Sequence, residues 1–129
     1  MMQAGVLTLI SFFTEDGICV ASRVRTAATF ASRFVGLLNR NHLDVREGLL
    51  LSPGGSIHTL GMRIAIDVLF LSDQLRVVKI MSRLRPWRVA LAPAQTRSVL
   101  ELAAGRAIAA RLREGTRLIK REAEFEEPQ

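Results

Sequence analysis

Hydrophobic positions along this chain fall mostly into short runs, and those runs predict a sheet. Val6 to Phe13 (VLTLISFF) is apolar and reads as a strand or a loose leader, closed by the turn residues Glu15-Asp16-Gly17. Ile18 to Arg25 (ICVASRVR) alternates apolar with small or polar residues, the period of a half-buried strand. The period then lengthens. Phe30, Phe34, Leu37 and Leu38 fall at i, i+4, i+7 and i+8, one helical stripe, and Thr29 stands where its hydroxyl can cap first-turn N–H groups. Arg33 and Arg40, seven residues apart, share a different side of that helix.

Gly48 to Leu51 (GLLL) predicts a short buried strand ended by Pro53-Gly54-Gly55, and Ser56 to Met62 a strand or extended segment. Ile64 to Leu71 (IAIDVLFL) is the strongest strand, apolar on both faces; Ser72-Asp73-Gln74 turns the chain and Leu75 to Ile80 returns as its hairpin partner. The segment around Pro86 and Pro93 is irregular. Ser98 to Leu102 fits strand or helix, Arg106 to Arg113 reads as helix until Gly115, and Arg117 to Lys120 as a last strand. Hairpins joined to single helices predict an α+β fold, with a mainly antiparallel, barrel-like sheet and two helices packed against it. Alternating βαβ units are missing, which argues against a doubly wound nucleotide fold.

A length of 129 residues suits one core. One globular domain is expected over residues 18–121, with 1–17 as the N-terminal strand or leader and 122–129 as a disordered acidic tail. The 49% hydrophobic content supplies that core without a metal or disulfide staple. Cys19 is the single cysteine, has no partner for an internal bridge, and is expected to be a buried, inert thiol. No Lys or Arg precedes the apolar N-terminal run, and no stretch approaches the roughly 20 apolar residues of a membrane span. A cytoplasmic protein is therefore expected, with export through an atypical leader as the alternative.

The net charge is +6, and it is uneven: Glu122, Glu124, Glu126 and Glu127 crowd the end, leaving eighteen basic residues against eight acids before them. Such a body attracts anions of any kind. Arg76, Lys79, Arg83, Arg85 and Arg88, with Trp87 among them, form an acid-free stretch that would suit single-stranded nucleic acid. Alternate charges on a strand also simply face water, and the sequence does not favour nucleic acid.

Three polar residues interrupt apolar runs. Asp67 lies between Ile66 and Val68, so its carboxylate points into a dry region and needs donors; Arg33 and His58 are the candidates. A carboxylate tying strand to helix is the structural reading, a ligand contact or general base the functional one. His58 shares a face with Leu60 and Met62 if that segment is a strand, as a core or pocket histidine. Glu101, between Leu100 and Leu102, pairs with an arginine or joins Asp67 as a carboxylate pair. No Gly-x-Ser-x-Gly, phosphate loop or His-Glu-x-x-His occurs, and His42 and His58 are too few for an ordinary zinc site. No metal and no cofactor is expected.

Together the motifs resemble a known family. Thr29-x-x-x-Arg33-x-x-Gly36-Leu37-x-x-Arg40, Gly48-Leu49-Leu50, and Ser56-Ile57-His58-Thr59-x-Gly61-Met62-Arg63-x-x-Ile66-Asp67-Val68-x-Phe70-Leu71 are similar to the bacterial and archaeal domain of unknown function 192. The similarity continues through Pro86, Ser98-Val99-Leu100-Glu101-Leu102, Ala104-Gly105 and Gly115, from about Ile18 to Ile119. Departures are Ile64-Ala65 where Phe-Pro is usual, Ser32 where an acid caps the helix, and Thr116 where Asp follows the late glycine. The resemblance implies a compact α+β domain with a barrel-like sheet. It also implies partners among envelope or pilus-assembly components, although the His-Thr form without a leader resembles the cytoplasmic variety.

The function expected is a non-catalytic accessory or ligand-binding domain, with a polar pocket around His58 and Asp67 lined also by Arg33, Met62 and Glu101. Its partner would be a small ligand or a protein. The alternatives are a small hydrolase or isomerase using His58 and Asp67 as an acid–base pair, and nucleic-acid binding through Arg76 to Arg88.

Overall fold

Strands dominate the computed structural model, which describes residues 6–27, 37 and 40–126. In chain order they are β1 (Val6–Thr14), β2 (Cys19–Ala27), β3 (Glu47–Leu51), β4 (Ile57–His58), β5 (Ile66–Leu71), β6 (Val77–Leu84), β7 (Val89–Ala90), β8 (Ser98–Ala103) and β9 (Leu118–Glu126), with one short helix, α1 (Arg106–Ala109), between β8 and β9. Seven strands make one sheet in the order β6-β5-β8-β3-β2-β1-β9, and β4 pairs with β7 in a second, two-stranded sheet.

The fold is mainly β, and its large sheet is mixed. Every neighbour is antiparallel except β2 and β3, which run parallel from Arg23 opposite Glu47 to Ala27 opposite Leu51. The expected barrel does not close. The edges β6 and β9 meet only at a corner, through the Arg76–Arg117 bridge and the Leu118 N–H donated to the Leu75 carbonyl. Among the described residues α1 is the one helix with bounds, not the two expected; Leu37 is helical and buried, while Phe30, Phe34, Leu38 and the Thr29 cap lie outside them. The pattern over Arg106 to Arg113 yields a single turn because Arg111 turns into the left-handed region at φ 58°.

Two apolar layers lie on opposite faces of the sheet. One gathers Phe12, Val20, Val24, Leu50, Leu69, Leu71, Leu100, Leu102 and Leu118 beneath Ala107, Ala110 and Leu112 of the α1 region. The other gathers Leu49, Leu51, Ile66, Val68, Phe70 and Val99 beneath Leu37, Leu43, Ile57, Met62 and Leu84. β5 and β8 lie between both layers and are buried at every position, which is why their sequences read as unbroken apolar runs. Gly54 permits the exit from β3: a Cβ there would sit 2.5 Å from the Leu51 carbonyl oxygen and 3.0 Å from the Val99 nitrogen.

Of the two readings of the N-terminal run, strand or loose leader, the strand is found, whereas the acidic end differs from expectation. Val6–Thr14 is a paired strand, held on one side by β2 and on the other by β9. The acidic run expected to be disordered is strand as far as Glu126, with Glu122 opposite Ile10 and Glu124 opposite Thr8. Cys19 is exposed rather than buried. Ser56 to Met62 is strand only at Ile57 and His58, after which Gly61 turns at φ 82°.

Candidate functional site

Asp67 is fully buried, and the partners it meets among the described residues are backbone groups rather than His58. Opposite it, β6 carries a bulge in which Arg83 adopts φ 52° and turns its N–H onto Oδ1 at 2.8 Å. Oδ2 accepts 2.7 Å from the Ala107 N–H, one of the first-turn donors that a helix cannot satisfy internally. Gly105, the residue at the start of α1, has no side chain to cap with, so Asp67 caps the turn from the neighbouring strand. Hydrogen bonds to a charged acceptor contribute roughly 1.5–3 kcal/mol each. This carboxylate is a structural tie between β5, β6 and α1.

The register separates Asp67 from the other site candidates. Asp67 lies opposite Leu102 and points into the α1-side layer, whereas Glu101 lies opposite Val68 and points into the other. The two acids therefore stand on opposite faces, and the expected carboxylate pair does not form. His58 is half-buried on the two-stranded sheet; its neighbour Ile57 points into the Glu101-side layer, and its own Nδ1 accepts from the Leu60 N–H at 3.3 Å. With the large sheet between His58 and a sealed Asp67, the two share no pocket. The geometry that acid–base catalysis requires is absent from this pair. Met62 is buried in the same layer as Glu101, and Leu60 is exposed, so the shared strand face expected for His58, Leu60 and Met62 is broken by the Gly61 turn. Arg33 lies outside the described residues.

The layer that holds Glu101 continues into a cleft of about 450 Å³ lined by Leu9, Arg23, Arg25, Leu37, Arg40, Leu43, Glu47, Gly48 and Leu49. Leu49 stands directly opposite Glu101 on β8 and opposite Arg25 on β2, so cleft and buried acid share one row of the sheet. Arg23 and Arg25 flank Val24, which faces the other layer, and alternation along the strand brings both guanidiniums to the cleft side. Glu47 is the cleft's acid, and it is already taken: Arg40 holds its two oxygens at 2.8 and 3.0 Å, and the Asp44 N–H donates at 3.3 Å. Burial pushes the Glu47 carboxyl upward, but the Arg40 and Asp44 hydrogen bonds outweigh it and hold the group below its ordinary value. Asp44, in the turn before β3, is held down to about 2 by its hydrogen bonds from the Arg46 side chain and backbone. Arg23 and Arg25 make no ion pair within 4 Å with any described acid, although Arg23 lies close enough to Asp44 to help lower its carboxyl.

The basic stretch does not gather into a groove. Arg76 donates to the Gly115 carbonyl at the sheet corner, Lys79 is half-buried opposite Phe70, and Arg83 lies against Gly105. Arg85 and Arg88 are exposed in the loop to β7. β6 carries only Lys79 and Arg83 of the five, and its rise sets them roughly 13 Å apart. No group of three or more His, Cys, Asp or Glu side chains among the described residues is placed to hold a metal ion, and no helix there is long and apolar enough to cross a membrane.

Comparison with known proteins places this geometry. The family model of domain of unknown function 192, described as an uncharacterized ACR, matches residues 12–119, and the chain belongs to that family. No functionally curated protein matches it. Among solved structures, a protein of unknown function from Novosphingobium aromaticivorans DSM 12444 superposes with a TM-score of 0.74 at 22% identity, covering 88% of this chain and 84% of that one. A proposed transcription regulator from Sinorhizobium meliloti 1021 gives 0.73 at 20% identity, over 93% and 97% of the two chains. A proposed exported protein from Burkholderia pseudomallei K96243 gives 0.55 at 16% identity; 95% of this chain matches 26% of that larger one. At such identities these likenesses concern the fold alone.

Proposed function

We propose that this member of the family is a non-catalytic binding domain that takes a small organic anion, a carboxylate or phosphate head on a short apolar body, in the cleft beside Leu49. One observation carries the reading: two guanidiniums, Arg23 and Arg25, with no acid within ion-pair distance among the described residues, line a cleft together with the apolar Leu9, Leu37, Leu43 and Leu49. The volume of about 450 Å³ lies within the range that holds small ligands. The planar fork of arginine suits two-point contact with a carboxylate or phosphate. Because Glu47 is engaged by Arg40, the nearest acid does not compete for Arg23 or Arg25. The expected pocket thus moves from His58 and Asp67 to the β2–β3 side of the Glu101 layer.

Calorimetric titration with octanoate and with inorganic phosphate tests the reading. Octanoate should bind the more tightly of the two, since only it covers the leucines. Arg23→Gln and Arg25→Gln should each weaken it about fivefold to tenfold, a loss of about 1–1.4 kcal/mol. Affinity unchanged in both variants would overturn the proposal. Nucleic-acid binding draws on the basic run and on the description of the Sinorhizobium protein, but Arg76, Lys79 and Arg83 are engaged or dispersed as described above.

A further inference from the structure

Among the described residues, seven large apolar side chains are exposed, and four belong to one small unit: Leu60 (42%), Trp87 (65%), Val89 (62%) and Leu91 (71%). That unit is the two-stranded sheet with its flanking loops. Ile57 and Ala90 pair and turn inward, so His58 and Val89, the next pair, turn outward, and Leu91 follows Val89 on the outer side. Thr59, fully buried, fixes the loop that presents them. Its hydroxyl donates to the Arg85 carbonyl at 2.7 Å and accepts from the Arg88 N–H at 2.9 Å, while its carbonyl accepts the Trp87 N–H at 3.0 Å. Trp87 is thereby held at φ 62°, a left-handed conformation costly for an aromatic residue. A large side chain fixed in a strained loop with its ring in water has no explanation in packing.

The charge along its stretch of chain is of one sign. From Gln74 to Leu100 the chain carries six basic residues and no acid, and Arg85 and Arg88 bracket Trp87 as exposed side chains. Tryptophan and leucine standing out beside arginine is the chemistry of the interface between lipid headgroups and acyl chains, where the ring and aliphatic groups enter and the guanidiniums meet anionic headgroups. We infer that the β4–β7 unit docks the protein on an anionic membrane surface, with Trp87, Val89 and Leu91 inserted at headgroup level and Arg85 and Arg88 against the lipid phosphates. The site is distinct from the anion cleft on β2 and β3 and does not depend on it.

Trp87 is the only tryptophan and the chain has no tyrosine, so intrinsic emission reports this patch directly. The full chain is titrated with vesicles of phosphatidylcholine alone and of phosphatidylcholine mixed with phosphatidylglycerol, following emission and co-sedimentation. The expected result is a blue shift and pelleting with the mixed vesicles, both weakened by raising salt. Val89→Asp should lower partitioning about tenfold while leaving thermal unfolding unchanged, because the side chain is mostly exposed. Arg85→Glu with Arg88→Glu should remove the preference for phosphatidylglycerol. No blue shift with anionic vesicles overturns the inference, as does pelleting that Val89→Asp leaves intact. A shift produced by single-stranded oligonucleotide or by an acidic protein, with none from vesicles, assigns the patch to that partner and equally overturns it.

Discussion

The Asp67 carboxylate meets the Ala107 N–H at 2.7 Å across 40 residues of chain, and with the Arg83 N–H on its other oxygen it fastens a strand, a bulge and a helical turn at one buried point. An asparagine at this position retains one acceptor oxygen and sets an amide N–H₂ against the other donor. Asp67→Asn should therefore destabilise the fold by about 2–3 kcal/mol, read as a lower urea midpoint at an unchanged slope. Octanoate affinity, extrapolated to the folded fraction, should not change. Wild-type stability in the variant would mean that the carboxylate is not the tie described.

Gly54→Ala should cost at least about 2 kcal/mol by the same measurement. The added methyl would sit 2.5 Å from the Leu51 carbonyl oxygen and 3.0 Å from the Val99 nitrogen, and both obstacles are backbone. Gly55→Ala is the control, since a Cβ there meets nothing within 4 Å. Equal stability of the two variants would contradict the packing of the β3 exit against β8.

Acid should loosen the cleft rim before the core. Asp44 is held down to about 2 from an ordinary 3.8, and Glu47 below its ordinary 4.5, so each binds its proton less readily in the folded chain than in the unfolded one. The stability they contribute is complete above pH 4.5 and is lost as the pH falls toward 2. Asp44 lies at the surface with about a third of its side chain exposed, so its share is screened by solvent. Glu47→Gln should flatten the decline in melting temperature between pH 4.5 and 3 relative to wild type. Parallel curves for the two proteins would show that the Arg40–Glu47 pair contributes nothing measurable.

Much of the fold is legible in the sequence, and the gaps have physical causes. The hairpin of β5 and β6 follows from an apolar run, a Ser-Asp-Gln turn and a second run, all local. The parallel pairing of β2 with β3 does not, because it joins segments separated by the stretch from 28 to 46, and local turn chemistry carries no information about such a crossover. An acid flanked by Ile66 and Val68 announces that it needs donors. It cannot announce that they are the N–H groups of a bulge 16 residues away and a helical turn 40 away. Composition marks the final glutamates as solvated tail, yet their alternation with Ala123 and Phe125 is the period of a strand, and β1 supplies the missing partner.

The cleft is a different case. Arg23 and Arg25, separated by one valine, carry the two-residue spacing that places both guanidiniums on one face, and that spacing is visible in the sequence. Which face they reach depends on the bulge between Ile10 and Phe12 in the β1–β2 pairing, a register detail set by packing. In the sequence His58 and Asp67 stand out as polar residues among apolar neighbours. A polar residue buried for structural reasons and one held for a ligand look alike until the sheet register separates their faces.

In the proposed function the cleft lined by β2, β3, Leu37 and Leu43 receives an anion. Two-dimensional ¹H–¹⁵N spectra of the labelled full chain during titration with octanoate test it most directly. Saturable shifts are expected at the amides of Arg23, Arg25, Gly48 and Leu49 and at the arginine Nε–H signals, with His58 and Ala107 undisturbed. Saturable shifts centred on His58, or no change at Gly48 and Leu49 at any octanoate concentration, would contradict it.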